Sequence, residues 1–195
     1  SYFVKLFKMV KKNACVFISG KGTNLKNLLL KSRSYNFPVK FKLVVCNKKN
    51  VGGIKIAKKN SIPIYFINTK SRLFEINLLR VLIEYKISII CLAGYMKIIS
   101  KFFLNSFGKK VINIHPSLLP KYKGLNTFSR VLKNKERKTG CTVHYVNENL
   151  DSGKIILQKS FFIDEKDNEE NLKIKTQKLE YLSFPEALIK IYRKF

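Results

Sequence analysis

The stretch "ACVFISGKGTNLKNLLLKSR", residues 14–33, contains the pattern that decides the fold. Residues 14–19 are almost entirely apolar and end in a glycine-rich turn, "GKGTN". The leucines that follow, within 25–33, have the spacing of a helix. A buried strand, a tight turn and a helix in this order predict the first unit of an α/β fold.

The same alternation continues through the next eighty residues. It predicts four further strands, at 41–47, 62–68, 87–94 and 111–115. It also predicts helices at 52–60 and 71–86 and a helical connector before the last of these strands. Ser71 is the predicted N-cap of the second of these helices. The near-continuous apolar runs are typical of parallel strands that helices cover on both faces.

The pattern changes after residue 115. A loop at 117–128 is followed by a predicted helix at 127–135, two strands at 141–146 and 154–163, and a long helix from about Glu169 that Pro185 would kink or divide. The turn between the two strands favours an antiparallel pair. We therefore predict one α/β domain, a Rossmann-like open twisted sheet that is mostly parallel, with an antiparallel edge and a long C-terminal helix. Its predicted extent is 14–195, after a basic N-terminal extension at 1–13.

Composition limits the function classes. The 195 residues carry 39 Lys and Arg against 12 Asp and Glu, a formal net charge of +27. Such a charge often indicates nucleic acid or an anionic membrane as partner. However, only six of the basic residues are Arg and the Lys residues are scattered, so we favour a solvated surface over a nucleic-acid interface. No apolar run is long enough to span a membrane, and no signal-peptide pattern is present, so we expect a cytoplasmic protein without a membrane partner.

The four cysteines do not indicate a metal site. Cys15, Cys46, Cys91 and Cys141 are far apart in sequence, and each lies in an apolar run. A free Cys in such a run behaves as a small buried hydrophobe. We therefore expect no metal.

Polar residues at the end of a predicted strand are the first candidates for chemistry. In "VINIHPSLLP", residues 111–120, Asn113 and His115 are two apart, so their side chains point to one face of the strand that Pro116 ends. An amide and an imidazole on one face can stabilise an oxyanion and transfer a proton at the same atom. The alternative is a core histidine that is hydrogen-bonded to backbone.

Two more residues belong to this hypothesis. Asp151, in the turn between the last two strands, could hold the imidazole charged or oriented, although it also fits an ordinary turn aspartate. His144, on the strand before that turn, is interpreted as a core or supporting residue rather than a catalytic one.

The turn "GKGTN" is a candidate anion site. Gly20 and Gly22 would allow backbone amides to approach a ligand, and Thr23 or Asn24 could cap the helix that follows. The turn is neither a P-loop nor a dinucleotide fingerprint, because it lacks G-K-[ST] and Leu25 stands at the third glycine position. A simple tight turn before a capped helix remains the alternative. Ligands of open α/β sheets bind at the carboxyl ends of the strands, where this turn and the strand-end residues should meet.

Several motifs together resemble one enzyme family. "ISGKGTN", "LAGYMKIIS", "NIHPSLLPKYKG", "TGCTVHYVNENLDSGKIILQ" and "QKLEYLSFP" occur in the order and spacing of the glycinamide ribonucleotide formyltransferases. The resemblance extends from about Ala14 to Ile191. It implies transfer of a formyl group from 10-formyltetrahydrofolate, used as co-substrate, to the amine of glycinamide ribonucleotide in purine biosynthesis.

The resemblance also assigns roles by position. Asn113, His115 and Asp151 match the catalytic trio, with Asn113 and His115 at the oxyanion, His115 in proton transfer, and Asp151 favouring the charged imidazole. The residues that match ribonucleotide-binding positions are Gly22, Thr23, Asn24, Gln177 and Glu180. Those that match folate-binding positions are Arg72, Met96, Lys97, Ile98, Ile99, Asn113, Asn147, Glu148, Asn149, Leu150 and Asp151. The apolar "MKII" segment also fits ordinary core packing.

The sequence departs from the family pattern at three places, and three other functions remain as alternatives. Asn126 and Phe128 stand where relatives often carry histidines, Lys97 replaces a frequent Arg, and the sequence stops at Phe195. The rivals are a methionyl-tRNA formyltransferase, a formyltetrahydrofolate deformylase, and a basic binding module without catalysis. The length is expected to leave no room for the extra domains of the first two. The sequence allows a monomer or a homodimer.

Overall fold

The computed structural model describes residues 10–193, in which strands and helices alternate as the sequence predicts. They are β1 (Lys12–Ile18), α1 (Thr23–Ser32), β2 (Val39–Cys46), α2 (Gly52–Lys59), β3 (Ile64–Phe66), α3 (Phe74–Glu84), β4 (Ile89–Leu92), α4 (Lys101–Phe107), β5 (Lys110–His115), α5 (Thr127–Lys133), β6 (Lys138–Tyr145), β7 (Ile155–Phe162) and α6 (Glu169–Tyr192).

The described strands form one sheet in the order β3-β2-β1-β4-β5-β6-β7. Pairing is parallel from β3 to β5 and antiparallel for β5 with β6 and for β6 with β7. The predicted α/β architecture, with its antiparallel edge and long final helix, is confirmed. The strand order reverses between β1 and β4, and this reversal is where open α/β sheets bind their ligands.

Two apolar layers cover the two faces of the sheet. Alternate residues of β1 separate between them, because successive side chains of a strand point to opposite faces. Val16 and Ile18 pack in the layer that α1, α2 and α6 cover, whereas Cys15 and Phe17 pack in the layer beneath α3 and α4. Because both faces of the sheet are buried, the sequences of its strands are nearly continuous apolar runs.

Some element boundaries differ from the predictions. Lys12 and Asn13 of the predicted extension belong to β1, and residues 1–9 lie outside the described part. β3 begins at Ile64 rather than at Ile62, because the Ile62 N–H donates to Ala57 O and closes the end of α2.

Ser71 is not an N-cap. Helix α3 begins at Phe74, Leu73 precedes it, and no side chain caps its first turn. Ser71 instead accepts from the Phe74 N–H through its backbone carbonyl, which makes a separate turn before the helix.

Pro185 does not divide the last helix. It lies inside the continuous helix α6, where it cannot donate to the carbonyl of Tyr181, four residues earlier. Asn27 Nδ2 of α1 donates to that carbonyl at 2.7 Å. The hydrogen bond from a neighbouring helix replaces the one that proline removes, and it ties α1 to α6.

All four cysteines are buried and unpaired, as predicted. Burial raises the pKa of Cys91 far above its ordinary value and that of Cys141 to about 11, so both remain neutral thiols. Among the described helices, none has the length and apolar character needed to cross a membrane.

Candidate active site

The predicted site residues follow strands that lie side by side in the sheet. The glycine-rich turn leaves β1, residues 93–99 leave β4, and β5 ends at His115. Since these three strands are parallel neighbours, their carboxyl ends meet at one edge. The antiparallel β6–β7 turn brings Asp151 to the same edge.

Asn113 is held by His144. The two residues are partners across the β5–β6 pair, and Asn113 Nδ2 lies 3.3 Å from His144 Nε2. His144 Nδ1 lies 2.8 Å from Tyr145 O, so Nδ1 carries the hydrogen and donates it to that carbonyl. Burial lowers the pKa of His144, which favours the neutral ring. Nε2 therefore accepts one hydrogen of the Asn113 amide and leaves the other available.

His115 lies against the Asp151 carboxylate. His115 Nδ1 is 3.4 Å from Asp151 Oδ2, and both side chains are almost fully buried. His115 Nε2 is 2.8 Å from Tyr122 O. His115 Nδ1 thus faces the carboxylate and Nε2 faces the carbonyl oxygen.

The turn geometry aims the Asp151 carboxylate at both histidines. Asp151 has φ 47°, a left-handed conformation that aspartate tolerates better than most residues. Oδ2 accepts from the Gly124 N–H at 2.8 Å, and Oδ1 lies 3.7 Å from His144 Nε2. The structure therefore brings Asn113, His115, His144 and Asp151 into one connected cluster.

The glycine-rich turn leaves the first amides of α1 without a side-chain cap. Gly22 precedes the helix with φ 76°, and neither Thr23 nor Asn24 caps it, which corrects the predicted capping. A Cβ at Gly22 would lie 2.6 Å from Gly53 Cα, so only glycine fits. Uncapped amides at a helix N-terminus are suited to an anion.

Side chains of α6 contact those of the turn. Gln177 Nε2 donates to Thr23 Oγ1 at 3.0 Å, and Asn24 Nδ2 donates to Glu180 Oε2 at 3.1 Å. Burial raises the pKa of Glu180, an effect that the Asn24 bond partly opposes. The buried Asn24 Oδ1 has no hydrogen-bond partner in the described part of the chain. The five predicted ribonucleotide-binding residues therefore lie together.

Comparison with known proteins agrees with this geometry. The family model described as formyl transferase matches residues 12–188. The chain is 38% identical over 178 residues to phosphoribosylglycinamide formyltransferase of Haemophilus influenzae, covering 89% of this chain and 84% of that protein. It superimposes with a TM-score of 0.90 and 34% identity on the crystal structure of phosphoribosylglycinamide formyltransferase from Brucella melitensis, covering 95% and 98% of the two chains.

The chain belongs to the phosphoribosylglycinamide formyltransferase family. It also matches the trifunctional purine biosynthetic protein adenosine-3 of Chironomus tentans, with 39% identity over 190 residues. That match covers 94% of this chain but only 14% of the longer protein, so the chain spans about a seventh of its length.

The residues that match the family's folate-binding positions outside the trio lie in three separate segments. Met96, Lys97 and Ile98 are exposed after β4, with Ile99 half-buried, and Asn147 to Leu150 form an exposed turn after β6. Lys101 Nζ, at the start of α4, lies 2.8 Å from Glu148 Oε2 and joins that helix to the 147–150 turn. Arg72 is exposed in the turn before α3, and none of the hydrogen bonds found in residues 10–193 links its side chain to the other two segments.

The loop that departs from the family pattern is held in place by other contacts. Asn126 precedes α5 with φ 56°, and Phe128 is half-buried in the first turn of that helix. Arg130 donates to the carbonyls of Lys123 and Leu125, and its guanidinium lies 5.3 Å from the centre of the Tyr122 ring. These contacts position the Tyr122 carbonyl that faces His115.

Sequence reasoning missed three contributors to the site. Tyr122 and Gly124 act through backbone atoms, and a sequence pattern does not indicate which carbonyl or amide will face a side chain. Ser19 lies in the predicted first strand, and its hydroxyl donates to Asn47 Oδ1 and accepts from the Met96 N–H. Its position at the end of β1, directly before the glycine-rich turn, was the available signal.

A cavity in the described residues lies away from this edge. It measures about 690 Å³ at the amino ends of β1 and β2 and is lined by residues such as Lys11, Arg33 and Lys40. Lys11 Nζ donates to the carbonyls of Ser32 and Ser34 at the end of α1, and Arg33 donates to Asn60. Lys11 and Arg33 thus have structural partners, and we place the active site at the carboxyl edge because its residues have the chemistry that the reaction needs. No group of three metal-ligating side chains was found within residues 10–193.

Proposed function

We propose that the chain transfers the formyl group of 10-formyltetrahydrofolate to the amine of glycinamide ribonucleotide, giving formylglycinamide ribonucleotide and tetrahydrofolate in purine biosynthesis. The observation that carries the proposal is the cluster of Asn113, His115 and Asp151 beside the uncapped N-terminus of α1. One sheet edge thus offers groups for an acyl transfer next to a site for a phosphate.

Asn113 and His115 are the proposed oxyanion stabilisers. The substrate amine attacks the formyl carbon, the new C–N bond forms, and the carbonyl electrons move to the oxygen. The Asn113 amide hydrogen that His144 leaves available donates to this oxyanion. Donors that are already oriented toward developing charge lower the barrier, and one of them typically contributes about 10²–10³ in rate.

His115 and Asp151 are the proposed proton-transfer groups. Their separation of 3.4 Å is longer than a good N–H···O bond, so His115 Nδ1 is free to donate to a nearby substrate atom. The attacking amine loses a proton and the N10 atom of the folate gains one when its bond to the formyl carbon breaks. His115 Nδ1 gives its proton to N10 and takes up the proton of the amine, so the ring ends as it began, while Asp151 stabilises the imidazolium.

Each substrate is assigned a separate part of the edge. The phosphate of the ribonucleotide binds the amides of Gly22, Thr23 and Asn24, and Gln177 and Glu180 contact its ribose. The folate binds the segments at 96–99 and 147–150 and the side chain of Arg72. Neither a nucleic-acid nor a membrane partner is required. Cytoplasmic location and a monomeric or homodimeric state remain predictions.

Turnover of 10-formyltetrahydrofolate, followed by absorbance with and without glycinamide ribonucleotide, tests the proposal. We expect tetrahydrofolate only when the ribonucleotide is present. Hydrolysis of the folate without it would indicate a deformylase instead. No turnover in either case, with RNA binding that persists above about 0.1–0.2 M salt, would favour the basic binding module.

A further inference from the structure

The backbone of residues 94–99 is nearly free of hydrogen bonds. Up to Ala93 the chain is still paired with β1, since the Ala93 N–H donates to Phe17 O. From Gly94 to Ile99, the hydrogen bonds of the described residues include a single one made by this backbone, from the Met96 N–H to Ser19 Oγ at 2.9 Å. Ser19 is therefore the one hydrogen-bonding anchor found for this segment within the described chain.

The Ser19 hydroxyl has one orientation. Ser19 is 3% exposed, and its Oγ donates to Asn47 Oδ1 at 2.6 Å. Because the hydroxyl hydrogen is directed to Asn47, an oxygen lone pair remains for the Met96 N–H. Asn47 follows β2 and Met96 follows β4, the two neighbours of β1 in the sheet. One hydroxyl thus ties together the loops on both sides of β1.

The position of Ser19 connects the two substrate segments. It lies between β1 and the Gly20–Asn24 turn, while its partner Met96 begins the exposed apolar segment that includes Ile98. The remaining backbone amides and carbonyls of that segment are available to a ligand, but only if the segment keeps its position.

We propose that Ser19 is a positioning residue for the folate, acting through the Met96 peptide and oriented by Asn47. This inference rests on the proposed function for the identity of the ligand. Loss of the Ser19 hydroxyl leaves the Met96 N–H without an acceptor and loosens the segment before the folate binds. The ordering then takes place on binding, which weakens affinity without changing the reacting groups.

The test compares Ser19→Ala with the parent protein in steady-state kinetics. We expect the KM for 10-formyltetrahydrofolate to rise about tenfold, as loss of one hydrogen bond predicts, while the KM for glycinamide ribonucleotide and kcat change less than about twofold. Ser32→Ala is the matched control, because it removes a hydroxyl that makes one hydrogen bond, to Leu29 O, at the far end of α1. Equal KM values for the folate in Ser19→Ala and Ser32→Ala would overturn the proposal.

A second variant tests the role of Asn47. In Asn47→Ala the hydroxyl can still accept from Met96 but loses its fixed orientation, so the KM for the folate should rise less than in Ser19→Ala. The double variant should match Ser19→Ala, because Asn47 acts only through that hydroxyl. Additive effects of the two substitutions would contradict this chain of contacts.

Amide hydrogen exchange of the protein without substrates separates this inference from the proposed function. The Met96 amide should exchange about five- to tenfold faster in Ser19→Ala, with equal exchange in the core strands. Unchanged exchange at Met96 would overturn the anchor whatever the enzyme catalyses. Faster exchange in a protein that does not turn over the folate would instead retain the anchor and reject the proposed function.

Discussion

Replacement of Gly22 by alanine should damage both stability and ribonucleotide binding. At φ 76° an alanine is in the left-handed region, which costs about 1–2 kcal/mol. Its Cβ would also lie 2.6 Å from Gly53 Cα and 3.2 Å from both Gly53 N and Ile56 Cδ1. The Gly53 atoms are backbone and cannot rotate away, so the start of α1 or of α2 must shift, at about 1–3 kcal/mol more.

The matched control is Gly108→Ala. Gly108 also has a positive φ, of 61°, but a Cβ there would meet nothing closer than Asn105 O at 3.6 Å. It ends α4 on the exposed surface, away from the candidate site. This variant should show the conformational cost alone, so the difference between the two variants isolates the clash.

Urea unfolding and steady-state kinetics measure the two effects. We expect Gly22→Ala to lose about 2–5 kcal/mol and Gly108→Ala about 1–2 kcal/mol in the free energy of unfolding. The KM for glycinamide ribonucleotide should rise at least about tenfold in Gly22→Ala alone, because the displaced amides no longer converge on the phosphate. Equal losses of stability in the two variants, or an unchanged KM in Gly22→Ala, would refute the close approach of Gly22 to Gly53 as the reason for glycine.

Three further predictions concern the trio, Glu180 and the helix contact at Pro185. His115→Ala or Asp151→Ala should lose most turnover, about 10²-fold or more, and still give a cooperative melt; unchanged activity in either would reject the mechanism. Burial raises the pKa of Glu180 above its ordinary 4.5. The KM of the parent protein for the ribonucleotide should therefore rise as pH falls through that raised pKa. The same KM in Glu180→Gln should stay constant over that pH range. The free energy of unfolding depends on pH in the opposite sense. The stabilisation from protonated Glu180 is complete below about pH 4.5 and is lost as pH rises through the raised pKa of Glu180 in the folded protein. Urea melts of Glu180→Gln should not show this loss. Asn27→Ala should cost about 1–3 kcal/mol of unfolding free energy, because Pro185 has no N–H to donate and Tyr181 O is then left without a donor; a cost below about 0.5 kcal/mol would show that another donor replaces it.

The order of strands and helices was predictable because apolar periodicity is a local property of the chain. The runs at 14–19 and 41–47 read as buried strands, and the change of pattern after 115 correctly indicated the antiparallel edge. The boundaries were less predictable. Ser71 has the side chain of an N-cap, yet its backbone forms a turn and the helix starts at Phe74. Pro185 has the chemistry of a helix breaker, but Asn27, far away in sequence, supplies the missing hydrogen bond.

The sequence by itself determined which groups are present at the carboxyl edge: an amide and an imidazole two apart on β5, a carboxylate after β6, and a glycine-rich turn after β1. Only the tertiary structure decided how these groups face one another. The contact of His144 with Asn113 follows from the β5–β6 register, and those of Tyr122 and Gly124 from the path of a loop. The reason is physical, since hydrogen bonds to backbone atoms carry no side-chain signature, and contacts between distant strands depend on a register that only the folded sheet sets.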